Sequence, residues 1–272
     1  MKLIEEVDKI VINDNNKYFL EDVMTKYLEY MKFIEQFDDK LLKYYLTTIK
    51  QNEVLNNQQA EQESSLLISI YNNMHKENSL DKIIRLLNDK EDLTKQELKC
   101  LHKVLMRGTT SEEETHEFRK DNNKFVGSFN PDGTKRIDYM PIPFVEIDSC
   151  IEQVLEMINS KKIDNPFINP FIFHAIISVM QPFDDGNTRL SRLIQHAKIW
   201  KNTNLLYNKF FDKPLLYLSK NYLLTRGTYR GLLANLAKEE NNEAWNKWFT
   251  YNLNMVDEQL FYLDNNVKRL VK

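Results

Sequence analysis

A chain of 272 residues with a formal charge of −3 is long enough to bury a sizeable core and carries no basic excess that would point to nucleic acid. Only 6 glycines and 7 prolines disfavour a turn-rich sandwich or barrel and favour long helices with few connections. Two cysteines, Cys100 and Cys150, are too few for a disulfide framework and fit a reduced, cytoplasmic setting.

The first residues, Met1-Lys2-Leu3-Ile4-Glu5-Glu6, turn acidic at once, unlike a secretory leader. Residues 1–14 read as an extended lead-in. Helical spacing of Leu20, Val23, Met24, Tyr27, Leu28 and Met31 opens a helical region from Tyr18 to Ile49, broken near Gln36-Phe37-Asp38-Asp39. Residues 52–62 are polar, a loop or a solvated helix face. Ser79-Leu80-Asp81 reads as a helix start. Thr94-Lys95-Gln96-Glu97 has the spacing of a capping box, in which a threonine side chain and a glutamate satisfy each other's backbone donors. Glu112-Glu113-Glu114 fits a solvated loop better than a metal site. Asn130-Pro131-Asp132-Gly133-Thr134 between short apolar stretches predicts a hairpin turn. Helices are then expected over about 145–158, on both sides of a loop within about 167–200, near 215–224, over 229–238, and from Asn242 onward. The longest apolar run, Phe171 to Met180, is far short of the ~20 residues that span a bilayer, so no membrane partner is expected. His75, His102 and His116 lack metal-ligand spacing. Trp245 and Trp248, at helical spacing, read as core.

Gln181-Pro182-Phe183-Asp184-Asp185-Gly186-Asn187-Thr188-Arg189-Leu190-Ser191-Arg192 is the segment richest in chemistry. It sits between two helical patterns and opens the second. A helix N-terminus offers backbone N–H groups and the positive end of the macrodipole, which suits an anion. Asp185 could hold a hard divalent cation, and Arg189 and Arg192 could reach phosphate oxygens. The residues by themselves thus describe a phosphate site with a metal position.

The segment resembles the signature of the Fic (Fic/Doc) family, His-x-Phe-x-Asp/Glu-Gly-Asn-Gly-Arg-x-x-Arg. It matches at Phe183, Asp185, Gly186, Asn187, Arg189 and Arg192, and departs at Gln181, where the family has its catalytic histidine, and at Thr188, where it has glycine. Four further blocks, in the family's order, resemble it too. These are Gly108 with His116-Glu117-Phe118-Arg119, then Phe125-Val126-Gly127 with Tyr139-Met140-Pro141-Ile142-Pro143, then Leu216-Tyr217-Leu218-Ser219, then Thr225-Arg226-Gly227-Thr228-Tyr229.

The resemblance implies an all-α, mainly helical Fic-like fold with a small β-hairpin flap. It would carry an N-terminal helical extension over 1–95 and a Fic-like domain with C-terminal helices over 96–272, as one compact unit. It also implies a protein adenylyltransferase, which transfers AMP from ATP to Ser, Thr or Tyr hydroxyls of a target protein docked on the flap. Carried over one residue at a time, Asp185 would ligate Mg2+, while Gly186, Asn187, Thr188, Arg189 and Arg192 would bind the nucleotide. Gln181 would occupy the place of the base. An amide takes up no proton near neutral pH, whereas imidazole titrates at about 6.5. The alternative is therefore a catalytically silent relative that binds nucleotide or a partner protein. His174, two helical turns upstream, is expected to be structural. Many relatives also carry an inhibitory helix of pattern Ser/Thr-x-x-x-Glu-Gly/Asn. The best match here, Ser64 to Ser69, has Ile68 at the glutamate position.

Overall fold

The computed structural model describes residues 9–59, 81–82, 84–86, 92–107, 116–160, 162–208, 211, 213–239 and 241–270. The segment at Ser64–Ser69, the helix start at Ser79-Leu80 and the acidic run at 112–114 fall outside these residues. Helix α1 spans Asp14–Ile34 and α2 spans Asp39–Gln59, divided where the sequence predicts. Asn13 caps α1, its side chain accepting from the Asn16 N–H at 2.8 Å. Helix α3, Lys95–Met106, begins at the capping box, with the Thr94 and Glu97 side chains each bonded to the other's backbone. The hairpin follows as β1, Val126–Phe129, and β2, Lys135–Tyr139. Next come a 3-10 turn at Phe144–Glu146 and α4, Ile147–Ile158. Helices α5, Ile168–Met180, and α6, Asn187–Tyr207, flank the motif loop. The chain ends with α7, Ser219–Leu224, α8, Arg226–Glu239, and α9, Asn242–Leu270.

Helix α1 begins at Asp14, four residues before Tyr18, and α8 at Arg226, three before Tyr229, while the largest departure from expectation lies ahead of α7. Pro214 does not open a helix at Leu215. Leu215 to Leu218 run non-helically through the core, almost wholly buried, and α7 starts only at Ser219. Burial of this apolar quartet against its neighbours overrides its helical pattern.

Helix α5 is apolar on every side and is buried on every side, which places it at the centre. Asn165 starts it, its side chain accepting from the N–H groups of Phe167 and Ile168 at 3.0 and 2.8 Å. Around it pack α4, α6, α8 and α9. Helix α1 lies on α9 and α2 on α7, so the N-terminal helices share the core of the rest. Asn16 and Asn246 join α1 to α9 through two hydrogen bonds of 2.9 Å.

The hairpin is antiparallel, with Phe129 opposite Lys135 and Gly127 opposite Ile137, and a bulge between Val126 and Gly127. A Cβ at Gly127 would lie 2.0 Å from the Arg136 carbonyl oxygen, so the two strands approach this closely only with glycine there. The hairpin rests on α8. Buried Tyr139 anchors it to α5 by donating to the Ser178 carbonyl at 3.0 Å. No helix among the described residues is long and apolar enough to cross a membrane.

Candidate functional site

Helix α5 ends at Gln181, whose backbone is left-handed, with φ 51° and ψ 61°. That conformation is uncommon outside glycine and turns the chain sharply out of the helix. The Gln181 side chain is buried and held at both ends. Its Nε2 donates to the Ser178 carbonyl at 2.6 Å, and its Oε1 accepts from Asn187 Nδ2 at 3.0 Å. Asn187 closes the loop. Its Oδ1 accepts from the Phe183 N–H and its Nδ2 donates to the Phe183 carbonyl, each at 2.8 Å. The loop thus carries its own internal brace, and the Asn187 amide is committed to it.

Phe183 and Gly186 fix the loop to α3. The Phe183 ring stacks on the His102 imidazole with centroids 3.9 Å apart and planes 3° from parallel. His102 Nε2 donates to the Asp185 carbonyl at 2.8 Å. Burial lowers the His102 pKa to about 4, outweighing the stabilising bond to Asp185, so the ring is neutral near pH 7. Gly186 has φ 75°, and a Cβ there would meet Met106 Sδ at 2.5 Å. Any other residue there would be strained and would have to displace the Met106 side chain. From the opposite side, buried Arg119 donates through Nε to the Gln181 carbonyl at 2.9 Å and through a terminal nitrogen to the Ile142 carbonyl. The Arg119 N–H also donates to the Pro182 carbonyl at 2.9 Å. Neither His102 nor Arg119 is assigned a role by sequence spacing, because each acts on the loop across a long stretch of chain.

Beside the loop lies a cavity of about 200 Å³. Asp185, Asn187, Thr188 and Arg192 line it from the motif, and Gln181 stands at its wall. The flap contributes Phe125, Gly127, Asp138 and Tyr139, and the approach to the flap contributes Lys124. Helix α8 adds Arg226 and Arg230. These two arginines are four residues apart and share a helix face. The sequence shows that spacing, and only the fold turns it toward the motif. Among the described residues the lining carries four cationic side chains against two carboxylates, which suits a polyanion.

Arg189 is not among the lining residues. It is buried and pairs with Asp185 at 2.7 Å, orienting that carboxylate, whose other oxygen accepts from the Gly186 N–H at 2.7 Å. Asp185 remains about half exposed at the cavity. Among the described residues no cluster of three metal-ligating side chains occurs, so a cation here would rest on Asp185 together with ligand oxygens and water.

His174 is structural, as its place in the sequence suggests. It is fully buried, with Nδ1 donating to Gln195 Oε1 and Nε2 accepting from the Tyr229 hydroxyl at 2.8 Å. Burial, with Arg192 adding repulsion, holds its pKa well below 6.5. His196 accepts the Leu218 N–H at 3.0 Å within the core. No imidazole lines the cavity among the described residues.

Residues 92–197 match the family model described as Fic/DOC family. Solved structures agree over nearly the whole chain. A Fic family protein from Desulfovibrio desulfuricans G20 superposes with a TM-score of 0.69 at 16% identity, covering 94% of this chain and 76% of that one. A Fic domain containing signaling protein from Bacteroides thetaiotaomicron gives 0.67 at 14% identity, covering 89% and 94%. Fic-1, residues 134–508, from C. elegans gives 0.66 at 14% identity, covering 93% and 73%. At these identities the structural likeness establishes the fold, a mainly helical Fic-like fold with a two-stranded hairpin.

Proposed function

This chain belongs to the Fic/DOC family through its domain at residues 92–197, and from that premise we propose that its cavity binds ATP with Mg2+ while AMP transfer to protein hydroxyls is strongly attenuated. One observation carries the reading. The residue in the base position is an amide whose two ends are tied to Ser178 and Asn187, beside a cavity rich in cations. The anion ligands are separate from the base, so binding can persist without it.

In this reading the phosphates lie at the N-terminus of α6, where the helix dipole and backbone N–H groups favour negative charge. Arg192, with Arg226 and Arg230 opposite, would hold terminal phosphate oxygens, for which the planar guanidinium fork is suited. Thr188 brings a hydroxyl and its backbone N–H to the same place. Asp185 would hold Mg2+ alongside phosphate oxygens, and the ion when bound would neutralise phosphate charge. Arg189 keeps the Asp185 carboxylate oriented. Phe129 and Ile137 on the hairpin and Met140 just after it are exposed, which supports docking of a target segment by strand addition. Removing the base from such a site costs about 10²–10⁴-fold in rate.

A second reading, an active protein adenylyltransferase, has one observation in its favour. Asp138 on β2 lines the same cavity as Gln181 and is a carboxylate capable of accepting a proton. Titration calorimetry with ATP and MgCl2, followed by labelled-ATP incorporation into whole lysate, separates the two. Binding without incorporation supports the attenuated site. Incorporation abolished by Asp138→Asn supports the transferase. Absence of heat and of competition at about 1 mM ATP, a level that detects even ~4 kcal/mol of binding, would remove both.

A further inference from the structure

We propose that a second cavity, at the far end of α6, is a binding site for a small amphipathic anion, with its charged head on Lys198 and an apolar portion against Ile163, Leu205 and Leu206. The cavity has a volume of about 530 Å³, inside the ordinary range for small-molecule sites. Lys198 lies 11 residues beyond Asn187 on the same helix, ~16 Å along its axis, so this site is separate from the motif loop.

Lys198 is the reason to expect a ligand. Its side chain lines the cavity and is only 3% exposed. Among the described residues it makes no hydrogen bond and no ion pair. Lys201, one helical turn on, repels it, and Asp92 attracts it without contacting it. Desolvation of the largely buried side chain lowers the Lys198 pKa to about 8, so an anion seated against it would restore the charged form. Asn202, also buried, lines the cavity with a side-chain amide that makes no hydrogen bond among the described residues. The Asn159 amide, by contrast, is already spent on both backbone groups of Leu93, at 2.8 Å each.

Among the described residues the lining contains two lysines and no carboxylate, which favours an anion over a cation. It also contains three aliphatic side chains, of which Leu205 is 62% and Leu206 37% exposed. An inorganic ion would leave that wall wet, while a head bearing a short hydrocarbon part would cover it. Carboxylate and phosphate heads share the required chemistry, and the test distinguishes them.

Octanoate, octyl phosphate and neutral 1-octanol are titrated into the full chain by calorimetry at pH 7. Binding of octanoate or octyl phosphate with a Kd of about 1 mM or tighter, at least about 10-fold stronger than 1-octanol, is expected. The tighter of the two identifies the head. Affinity should fall about 10-fold or more in Lys198→Met and return to within about 3-fold in Lys198→Arg, while ATP binding at the motif is unchanged. Should Lys198→Met fail to fold, Leu206→Asp places a like charge on the apolar wall and should weaken the anion about 10-fold. Binding also takes up protons when measured near pH 8, because the anion restores the Lys198 ammonium. No binding of either anion at about 10 mM, equal binding of 1-octanol, or undiminished affinity in both Lys198→Met and Leu206→Asp would overturn the proposal.

Discussion

Helices α5 and α6 lie against each other, and both are buried along most of their length, for opposite reasons. Helix α5 is apolar almost throughout, and transfer of its isoleucines and phenylalanines from water drives its burial. Helix α6 buries Arg189, Arg192, Gln195, His196, Lys198 and Asn202 among its apolar residues. Each of those groups costs free energy inside unless something satisfies it. Gln195 is satisfied by His174 and by the Tyr222 hydroxyl at 2.9 Å, and one terminal nitrogen of Arg189 pairs with Asp185. The first helix supplies stability and the second supplies placed chemistry, bought at the expense of stability.

The largest expected effect tests what the junction between the two helices withholds. Gln181→His should raise nucleotide transfer or self-modification by about 10²–10⁴-fold, read as labelled product from ATP. The backbone accommodates it, since histidine is among the residues enriched in the left-handed conformation that position 181 adopts. Persistent silence with ATP still bound would shift attention to Thr188, and Gln181→His with Thr188→Gly becomes the decisive variant.

The next effect separates stability from placement. Phe173→Ala in α5 should cost about 3–5 kcal/mol in denaturant unfolding and leave the ATP affinity of the folded protein unchanged. Arg192→Lys in α6 should do the reverse, weakening ATP about 10-fold or more, because the bidentate fork is lost while charge is kept. Equal effects of the two variants on both readouts would erase the distinction between the helices.

A smaller effect is expected from pH. The His102 pKa falls from 6.5 in the unfolded chain to about 4 in the folded protein. The unfolded chain therefore binds the extra proton first as pH falls. The stability held by neutral His102 is complete above about pH 6.5 and declines toward pH 4, by roughly 3 kcal/mol in all. His174, shifted in the same direction, adds to the loss. His102→Phe should flatten the pH dependence of unfolding between pH 6.5 and 4. At pH 7 the same variant retains a ring on Phe183 but loses the bond to the Asp185 carbonyl, at a cost of about 1 kcal/mol, the smallest effect here.

What the sequence discloses is local. The Thr94 capping box, the turn at Asn130–Thr134 and the helix break before Asp39 rest on neighbours within a few residues, and all three stand in the structure. The motif loop is legible for the same reason, since Gly186 and Asn187 act inside it. The parts that hold the loop in place are not. His102 reaches Asp185 across 83 positions and Arg119 reaches Gln181 across 62, and no periodicity records such pairings. Arg226 and Arg230 show a common helix face in the sequence, but which way α8 turns that face is decided by tertiary packing. Leu215 to Leu218 mislead in the opposite sense, for their apolar pattern is answered by burial without a helix.

The left-handed backbone at Gln181 has a consequence for descent. Position 181 leaves a buried helix with its backbone held at both ends, its carbonyl accepting from Arg119 and its N–H donating to the Ile177 carbonyl, and neither bond draws on the side chain it bears. Glutamine and histidine codons differ only in their third base. On the proposed reading, a single nucleotide change stands between this dormant pocket and a working base, and the surrounding architecture would need no remodelling to receive it. If Gln181→His alone restores transfer, a lineage holding such a gene would keep an activity in reserve, reachable in one step under selection and as easily silenced again.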